Sequence, residues 1–204
     1  MKIKICGLRA PENIEEISLT NVDYVGFNFY RKSKRFVDHT QAFRLSTFSK
    51  IPKVGVFVNA RIQYLLDMVK IYGLDYVQLH GDETPEYVNE VQKEVRVIKV
   101  FSIATDRDFE RINDYKNCEY FLFDTKSKQR GGSGVQFDWA LLLNYKGDTP
   151  FFLAGGISLH DLNKIQNIKH PNLHGLDLNS KFEIEPGLKD VTLIKEFIRL
   201  LSNE

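Results

Sequence analysis

Residues 150–159, PFFLAGGISL, decide how the rest of the chain is interpreted. The apolar start, residues 150–153, is short enough for one buried strand, and two glycines separate it from a helical pattern. Where such a strand ends, bare backbone N–H groups and the positive end of a helix dipole form a site for an anion, which predicts phosphate binding. Two glycines after a strand also occur in ordinary tight turns, so the neighbouring sequence has to support this interpretation.

Two neighbouring stretches predict the same ligand. The first is GGSG at residues 131–134, and the second is Asn179-Ser180-Lys181, which follows the next predicted strand. Loops after the last two strands of a barrel commonly bind phosphate. The predicted phosphate-binding residues are Gly132, Ser133, Gly134, Gly155, Gly156, Ser180 and Lys181. The alternative for the first stretch is a solvated basic loop, since Lys126, Lys128 and Arg130 precede it.

The chain alternates between strand and helix patterns from end to end. Eight strands are predicted, at residues 2–6, 23–29, 53–58, 75–80, 95–102, 119–124, 150–153 and 173–178. Eight helices are predicted between and after them, at residues 11–19, 39–47, 60–72, 84–93, 105–115, 137–145, 158–165 and 191–201. Helix start signals include Pro11, Asn59 before the third helix and Ser158 before the seventh. This pattern predicts a single-domain (β/α)8 TIM barrel of the α/β class over residues 1–204.

The main alternative is a doubly wound open sheet. Such a sheet rarely needs eight even units, and no GxGxxG follows the first strand. No linker rich in Pro, Gly or Ser divides the chain, and 204 residues with 43% hydrophobic content are enough to bury one full core.

Composition excludes several classes of partner. The formal net charge is +1, from 28 basic and 27 acidic residues without a basic face, so no nucleic-acid partner is expected. No apolar run approaches a signal peptide or a membrane span, which predicts a cytoplasmic protein without membrane contact. The two cysteines, Cys6 and Cys118, do not suggest a disulfide framework. The sequence leaves open whether the protein is a monomer or a homodimer.

In a barrel, the chemistry lies where the strands end. Two strand ends carry reactive side chains, Cys6 after the first strand and Asp124 after the sixth. One can accept a proton and the other can donate one to a substrate held between them. The alternatives are a small buried core residue for Cys6 and a helix cap or turn residue for Asp124. Period two places Lys4 deeper on the face of Cys6, where its ammonium would favour the thiolate.

Seven motifs, in order along the whole chain, resemble the phosphoribosylanthranilate isomerase family of tryptophan biosynthesis. They are KICGL at 4–8, SKR at 33–35, VGVFV at 54–58, QLHG at 78–81, GGSG at 131–134 with FDW at 137–139, LAGG at 153–156, and EPGLKD at 185–190. The resemblance implies an Amadori rearrangement of N-(5-phosphoribosyl)anthranilate without a cofactor. Two positions depart from the family pattern, because Lys34 replaces a usual proline and Lys181 a usual glycine.

The resemblance also implies roles for individual residues. Asp124 would protonate the furanose ring oxygen, and Cys6 would remove the proton on sugar C2. Arg35 would clamp the anthranilate carboxylate, since a planar guanidinium matches a carboxylate bidentately. His80 is expected to line the substrate pocket. Asp177 is expected to pair with Lys4 or Lys99 in the interior, and the alternative is that it orients a substrate hydroxyl.

Two other functions remain open at this level. One is a different barrel enzyme for phosphosugars, such as an epimerase or an indole-glycerol-phosphate synthase. The other is a non-catalytic phosphosugar-binding protein, which gives no reason for Cys6 and Asp124 to face each other. His80 and Asp124 alone do not make a metal site, so no metal is expected.

Overall fold

The computed structural model describes residues 1–38, 51–125 and 137–202. Its centre is a closed barrel of eight parallel strands, as the alternating pattern predicts. The strands are β1 Lys2–Cys6, β2 Tyr24–Asn28, β3 Lys53–Phe57, β4 Tyr76–Leu79, β5 Arg96–Ile103, β6 Tyr120–Thr125, β7 Phe151–Leu153 and β8 Leu173–Leu178. Closure comes from β1, which pairs with both β2 and β8, so that Lys4 lies between Tyr24 and Asp177.

Helices and a small hairpin complete the described fold. The α-helices are α1 Pro11–Ser18, α2 Ile62–Tyr72, α3 Pro85–Val91, α4 Leu162–Gln166 and α5 Val191–Leu201. Short 3-10 helices span Asp106–Asp114, Trp139–Asn144, Leu159–Asp161 and Ser180–Phe182. After the last of these, β9 Glu183–Glu185 and β10 Leu188–Lys189 pair antiparallel. No helix in the described part of the chain is long and apolar enough to cross a membrane.

Three helix predictions differ from the structure, and one lies outside it. Residues 105–115 and 137–145 form 3-10 helices, and the segment 158–165 begins as a 3-10 turn that continues into α4. Helix α2 begins at Ile62, so Asn59 is not its cap. Instead, Asn59 has a left-handed φ of 48°, and its side-chain oxygen accepts a hydrogen bond from the backbone N–H of Asp82 at 2.8 Å. The predicted helix 39–47 lies outside the described residues.

Period two along the strands separates two cores. The larger core packs the outer faces of the strands against the helices. The smaller core fills the barrel interior and consists of Tyr24, Val54, Tyr76, Ile98, Val100, Leu122, Phe152 and Ala154. Because all eight strands run the same way, their N-terminal residues meet at one end of the interior and their C-terminal residues at the other.

Aromatic side chains fill the N-terminal end of the barrel, which we call the closed end: Tyr24, Tyr76, Tyr120, Phe152 and His174. The Tyr24 and Phe152 rings meet edge to face with centroids 5.3 Å apart, and His174 stacks on Tyr120 at 4.3 Å. The Tyr24 hydroxyl lies 3.3 Å from Nε2 of His174. This packing leaves the C-terminal end, which we call the open end, as the end at which a ligand can enter.

Candidate active site

A cleft of about 400 Å³ lies at the open end, within the usual size range of small-molecule sites. Its lining includes seven of the predicted site residues: Cys6, Arg35, His80, Asp124, Gly155, Asp177 and Ser180. A larger groove of about 520 Å³ lies on the outer surface between Trp139–Asn144 and α4. Because strand ends and convergent ionisable groups meet only in the first of these two cavities, the cleft is the candidate active site.

Cys6 ends β1 inside the barrel, directly above Lys4. The Lys4 side chain is fully buried, and its ammonium forms an ion pair with the Asp177 carboxylate at 2.8 Å. Of the two partners that the sequence offered for Asp177, Lys4 and Lys99, the structure has Lys4. Gly26 on the adjacent strand makes room for both groups, since a Cβ there would lie 3.0 Å from Sγ of Cys6 and 3.3 Å from Nζ of Lys4.

The electrostatics around Cys6 differ in part from the sequence prediction. Burial raises the pKa of the Cys6 thiol, and the neighbouring Lys4 ammonium opposes this shift without cancelling it. For Lys4, burial would lower the pKa, but Asp177 and Cys6 outweigh burial and raise it. The Lys4 ammonium therefore does favour the thiolate, but burial still leaves the pKa of Cys6 above the ordinary thiol value.

Asp124 stands at the end of β6, across the cleft from β1. One carboxylate oxygen accepts the backbone N–H of Thr125 at 2.8 Å, and the other lies 3.3 Å from Nε2 of His80. On the other side of the His80 ring, Nδ1 lies 3.3 Å from Nε2 of the buried Gln78 amide. With that amide nitrogen as donor, Nδ1 is the acceptor and Nε2–H points to Asp124. His80 thus contacts the predicted acid.

The two glycines after β7 adopt left-handed conformations, with φ of 95° at Gly155 and 68° at Gly156. A Cβ at Gly155 would lie 2.3 Å from Oγ1 of Thr125 and 3.0 Å from Oδ1 of Asp124. Glycine is therefore required there for a reason besides phosphate, because a side chain would clash with the Thr125 hydroxyl and crowd the Asp124 carboxylate, and because φ is positive. Gly156 is not part of the cleft lining.

The remaining predicted phosphate residues fall into two groups. Gly132, Ser133 and Gly134 lie outside the described residues. Ser180 and Lys181 begin the 3-10 helix Ser180–Phe182, so a lysine is accommodated where the family usually has a glycine. Ser180 lines the cleft, whereas the side chain of Lys181 is exposed and does not contribute to the lining. Glu183, the first residue after this 3-10 helix, begins β9 and does not continue the helix.

Arg35 lies beside the cleft but already has a carboxylate partner. Glu183 accepts hydrogen bonds from Nε at 2.8 Å and from Nη2 at 2.5 Å of the Arg35 guanidinium. The Arg35 stem crosses the end of β1 above Gly7, where a Cβ would lie 2.5 Å from Cδ of Arg35. The φ of 82° at Gly7 also favours glycine.

A second buried cation completes this cluster. The ammonium of Lys189 donates to Oε1 of Glu183 at 2.7 Å and to Oδ1 of Asn179 at 2.8 Å. Burial lowers the pKa of Lys189 to about 8, although Glu183 acts in the opposite direction. For Glu183, burial would raise the pKa, but the Arg35 and Lys189 contacts outweigh it and lower the pKa.

Lys99, the alternative partner for Asp177, is not in the barrel interior. Its neighbours Ile98 and Val100 face inward, so Lys99 points outward and pairs with the buried Glu83 at 2.9 Å. Glu83 also accepts the backbone N–H groups of Asn59 and Gly81. This pair therefore fixes the loops after β3 and β4, including the backbone on either side of His80.

Sequence reasoning assigned no role to Glu183 or Lys189, although Lys189 belongs to the quoted EPGLKD motif. The available signal was a lysine followed by an apolar helix pattern, which did not predict a buried side chain.

Among residues 1–38, 51–125 and 137–202, no group of three His, Cys, Asp or Glu side chains is arranged to hold a metal ion.

The fold and the cleft define a (β/α)8-barrel protein of the enzyme type, with ionisable side chains gathered at the C-terminal ends of its strands. The family model described as N-(5'-phosphoribosyl)anthranilate (PRA) isomerase matches residues 3–200. A relative from Parabacteroides distasonis, named N-(5'-phosphoribosyl)anthranilate isomerase, is 48% identical, covering 98% of this chain and 92% of the relative. The chain therefore belongs to the phosphoribosylanthranilate isomerase family.

Solved structures agree with this assignment. The crystal structure of the Thermotoga maritima phosphoribosylanthranilate isomerase is similar with a TM-score of 0.91 at 34% identity, over the full length of both chains. Another isomerase structure, in complex with reduced 1-(o-carboxyphenylamino)-1-deoxyribulose 5-phosphate, has a TM-score of 0.87 at 32% identity, again over both full chains. A 3-hexulose-6-phosphate synthase from Salmonella typhimurium at 12% identity shares the fold alone.

Proposed function

We propose that this enzyme converts N-(5-phosphoribosyl)anthranilate into 1-(o-carboxyphenylamino)-1-deoxyribulose 5-phosphate, the isomerase step of tryptophan biosynthesis. Family membership supports the reaction. The observation that carries the mechanism is that Cys6, at the end of β1, and Asp124, near the end of β6, line one cleft together with Arg35. An acid and a base on either side of a sugar are what an aldose–ketose rearrangement requires.

The first step opens the furanose ring. Asp124 in its acid form donates a proton to the ring oxygen as the bond from that oxygen to C1 breaks, and C1 forms an iminium with the anthranilate nitrogen. Oδ1 of Asp124 is held by the Thr125 N–H, and Oδ2 lies beside His80. This arrangement supports a fixed direction for the donated proton.

The second step moves a proton from C2. The thiolate of Cys6 takes the C2 proton, and the C–H electrons form the C1–C2 double bond of an enolamine. Protonation at C1 and loss of the C2 hydroxyl proton then give the aminoketose, with no net change in protons. Burial disfavours the Cys6 thiolate, and the Lys4 ammonium below it opposes that effect and supports the thiolate during turnover.

The binding roles follow the position of each group. Gly155 and Ser180 belong to the cleft and support a phosphate site after β7 and β8, together with Gly132 to Gly134, Gly156 and the Lys181 backbone. Arg35 is proposed to hold the anthranilate carboxylate, and His80 to contact substrate beside Asp124. Asp177, already paired with Lys4, is proposed to act mainly on Cys6 through that lysine.

The direct test is to incubate the purified protein with phosphoribosylanthranilate and follow the loss of substrate fluorescence. A decay that depends on enzyme concentration and needs no added cofactor supports the proposal. A protein that binds the substrate without consuming it would be a phosphosugar-binding protein instead. We also propose a cytoplasmic location. For the oligomeric state we propose a monomer or a homodimer, and light scattering of the purified protein distinguishes the two. One Thermotoga maritima relative is described as dimeric.

A further inference from the structure

From this geometry we infer that Glu183 is a positioning residue for substrate specificity. It occupies one edge of the Arg35 guanidinium and directs the other edge toward the carboxylate on the substrate's aromatic ring. The inference rests on the proposed role of Arg35. It adds Glu183, on β9, as the residue that sets the orientation of the Arg35 guanidinium.

The hydrogen-bond pattern identifies the edge that is taken. Both Nε and Nη2 of Arg35 donate to the Glu183 carboxylate, which is the side-on, bidentate arrangement of an arginine–carboxylate pair. A guanidinium has a second edge of the same shape, formed by Nη1 and the remaining hydrogen of Nη2. Within the described residues no acceptor lies on Nη1, and 16% of the Arg35 side chain stays exposed while Arg35 lines the cleft.

Charge around the pair supports a second carboxylate. Glu183 is a single anion between two cations, Arg35 at 2.5 Å and the Lys189 ammonium at 2.7 Å. The cluster therefore keeps a surplus positive charge close to Cys6. A carboxylate placed on the free edge of Arg35 would neutralise this surplus without displacing Glu183.

The surroundings fix Glu183 rather than Arg35 as the anchor. Oε1 of Glu183 also accepts the Gly187 backbone N–H at 3.1 Å, and its side chain is only 4% exposed. Lys189 is tied in turn to Asn13 through hydrogen bonds at both its backbone N–H and its C=O. Glu183 thus has partners from its own hairpin, whereas the long Arg35 stem depends on Glu183 for its final orientation.

The experiment compares two substrates in Glu183→Gln. One is phosphoribosylanthranilate, and the other is the phosphoribosylamine made from aniline, which lacks the carboxylate. With the orienting charge lost, KM for the carboxylate substrate should rise roughly 10- to 100-fold, because a misplaced clamp of this kind can cost up to about 100-fold. The kcat for this substrate and both constants for the aniline compound should change by less than about threefold.

Two variants serve as controls. Glu185→Gln makes the same chemical change two residues further along the same hairpin, on an exposed side chain, and should leave both substrates unaffected. Glu183→Asp keeps the charge on a shorter side chain and should recover part of the lost discrimination. Unchanged turnover of the aniline compound by Glu183→Gln shows that the variant is folded, so misfolding cannot imitate the expected result.

Three results would overturn the inference. An unchanged KM means that Arg35 is oriented without Glu183, and a lower KM means that Glu183 competes with the substrate carboxylate. An equal loss on both substrates means that the role is structural.

If the wild-type protein fails to turn over phosphoribosylanthranilate, the proposed function fails. Calorimetric binding of the reduced aminoketose phosphate, with and without its carboxylate, then still tests the role of Glu183.

Discussion

The two ends of the barrel interior are built from the same strands, yet they hold opposite kinds of side chain. On β6 the inward residues run from Tyr120 at the closed end, through Leu122, to Asp124 at the open end. On β4 they run from Tyr76 to Gln78, which lies below His80. The aromatic rings close one end of the interior, and ionisable side chains line the other end.

Residues of the same type sharpen this contrast. His174 stacks on Tyr120 at the closed end, where burial lowers its pKa, while His80 faces a carboxylate in the cleft. Both cysteines are free thiols, with Cys6 at the C-terminal end of β1 and Cys118 just before the start of β6. Burial raises the pKa of both, that of Cys118 to about 11, but only Cys6 has a lysine ammonium directly beneath it. Position along the strand therefore decides what an ionisable residue can do.

The largest expected effect comes from exchanging the two thiols for hydroxyls. Cys6→Ser should lower kcat by roughly 100- to 10,000-fold, the usual cost of losing a general base, because a hydroxyl does not ionise at neutral pH. Cys118→Ser, the matched change away from the cleft, should leave kcat within about twofold. Steady-state kinetics on both variants measures the difference. Equal activity in the two variants would remove Cys6 from the mechanism.

Asp124→Asn should have the next largest effect. The amide has no acidic proton for the ring oxygen, so kcat should fall roughly 100- to 1,000-fold while binding of the reduced product is retained. Calorimetry on the variant separates the two quantities. A variant that lost binding but kept its rate would make Asp124 a structural residue, comparable to the aromatic groups at the closed end.

The closed end should instead respond through stability. The folded state lowers the pKa of His174, so the unfolded chain binds more protons, and the free energy of unfolding falls as pH drops below the ordinary imidazole value of about 6.5. Each kcal/mol lost lowers Tm by roughly 2–4 °C in a chain of this size. Thermal unfolding at pH 8 and pH 5 should show a smaller difference in His174→Gln than in the wild type.

His160 provides the matched control for that measurement, since it is an exposed histidine in a short 3-10 helix. His160→Gln should retain the full pH dependence of Tm. The same pH dependence in wild type and His174→Gln would mean that other groups cause the loss of stability in acid, and that His174 gains its proton without cost.

The smallest effect is expected at Lys181, which is at the open end but turned to solvent. Lys181→Gly should change KM by less than about fivefold, since exposed ionic contacts contribute up to roughly 1 kcal/mol. The comparison is made at low and high salt, because a contact to phosphate would be screened. A rise in KM beyond that range, confined to low salt, would show that the ammonium folds over the phosphate.

The strands were predictable because buried runs of four to eight residues stand out between turn signals. Lys2–Cys6 and Leu173–Leu178 match the prediction end for end, and the others differ by one residue at one or both ends. The helices were harder. In Asp106–Asp114 the buried residues are Phe109 and Ile112, three apart, and that spacing is satisfied by a 3-10 helix as well as by an α-helix.

The site was predictable where it depends on strand ends. Cys6 and Asp124 were found because the ends of parallel strands meet on one face. Glu183 and Lys189 were missed, because their meeting depends on an irregular hairpin whose pairing shifts between its two bonded positions. The direction of Lys99 was recoverable, since inward-facing Ile98 and Val100 on either side require it to point outward.

Gly7 links the proposed base, Cys6, to the proposed carboxylate-binding residue, Arg35, because it has no side chain. It follows the proposed base in sequence, and its missing side chain is the space through which Arg35 passes. A variant that accepts a substrate with a different acid group would need a substitution at Arg35. That substitution must fit the backbone at Gly7, directly after Cys6. The proposed specificity residue and the proposed catalytic base therefore both depend on Gly7, and neither can be redesigned without regard to the other.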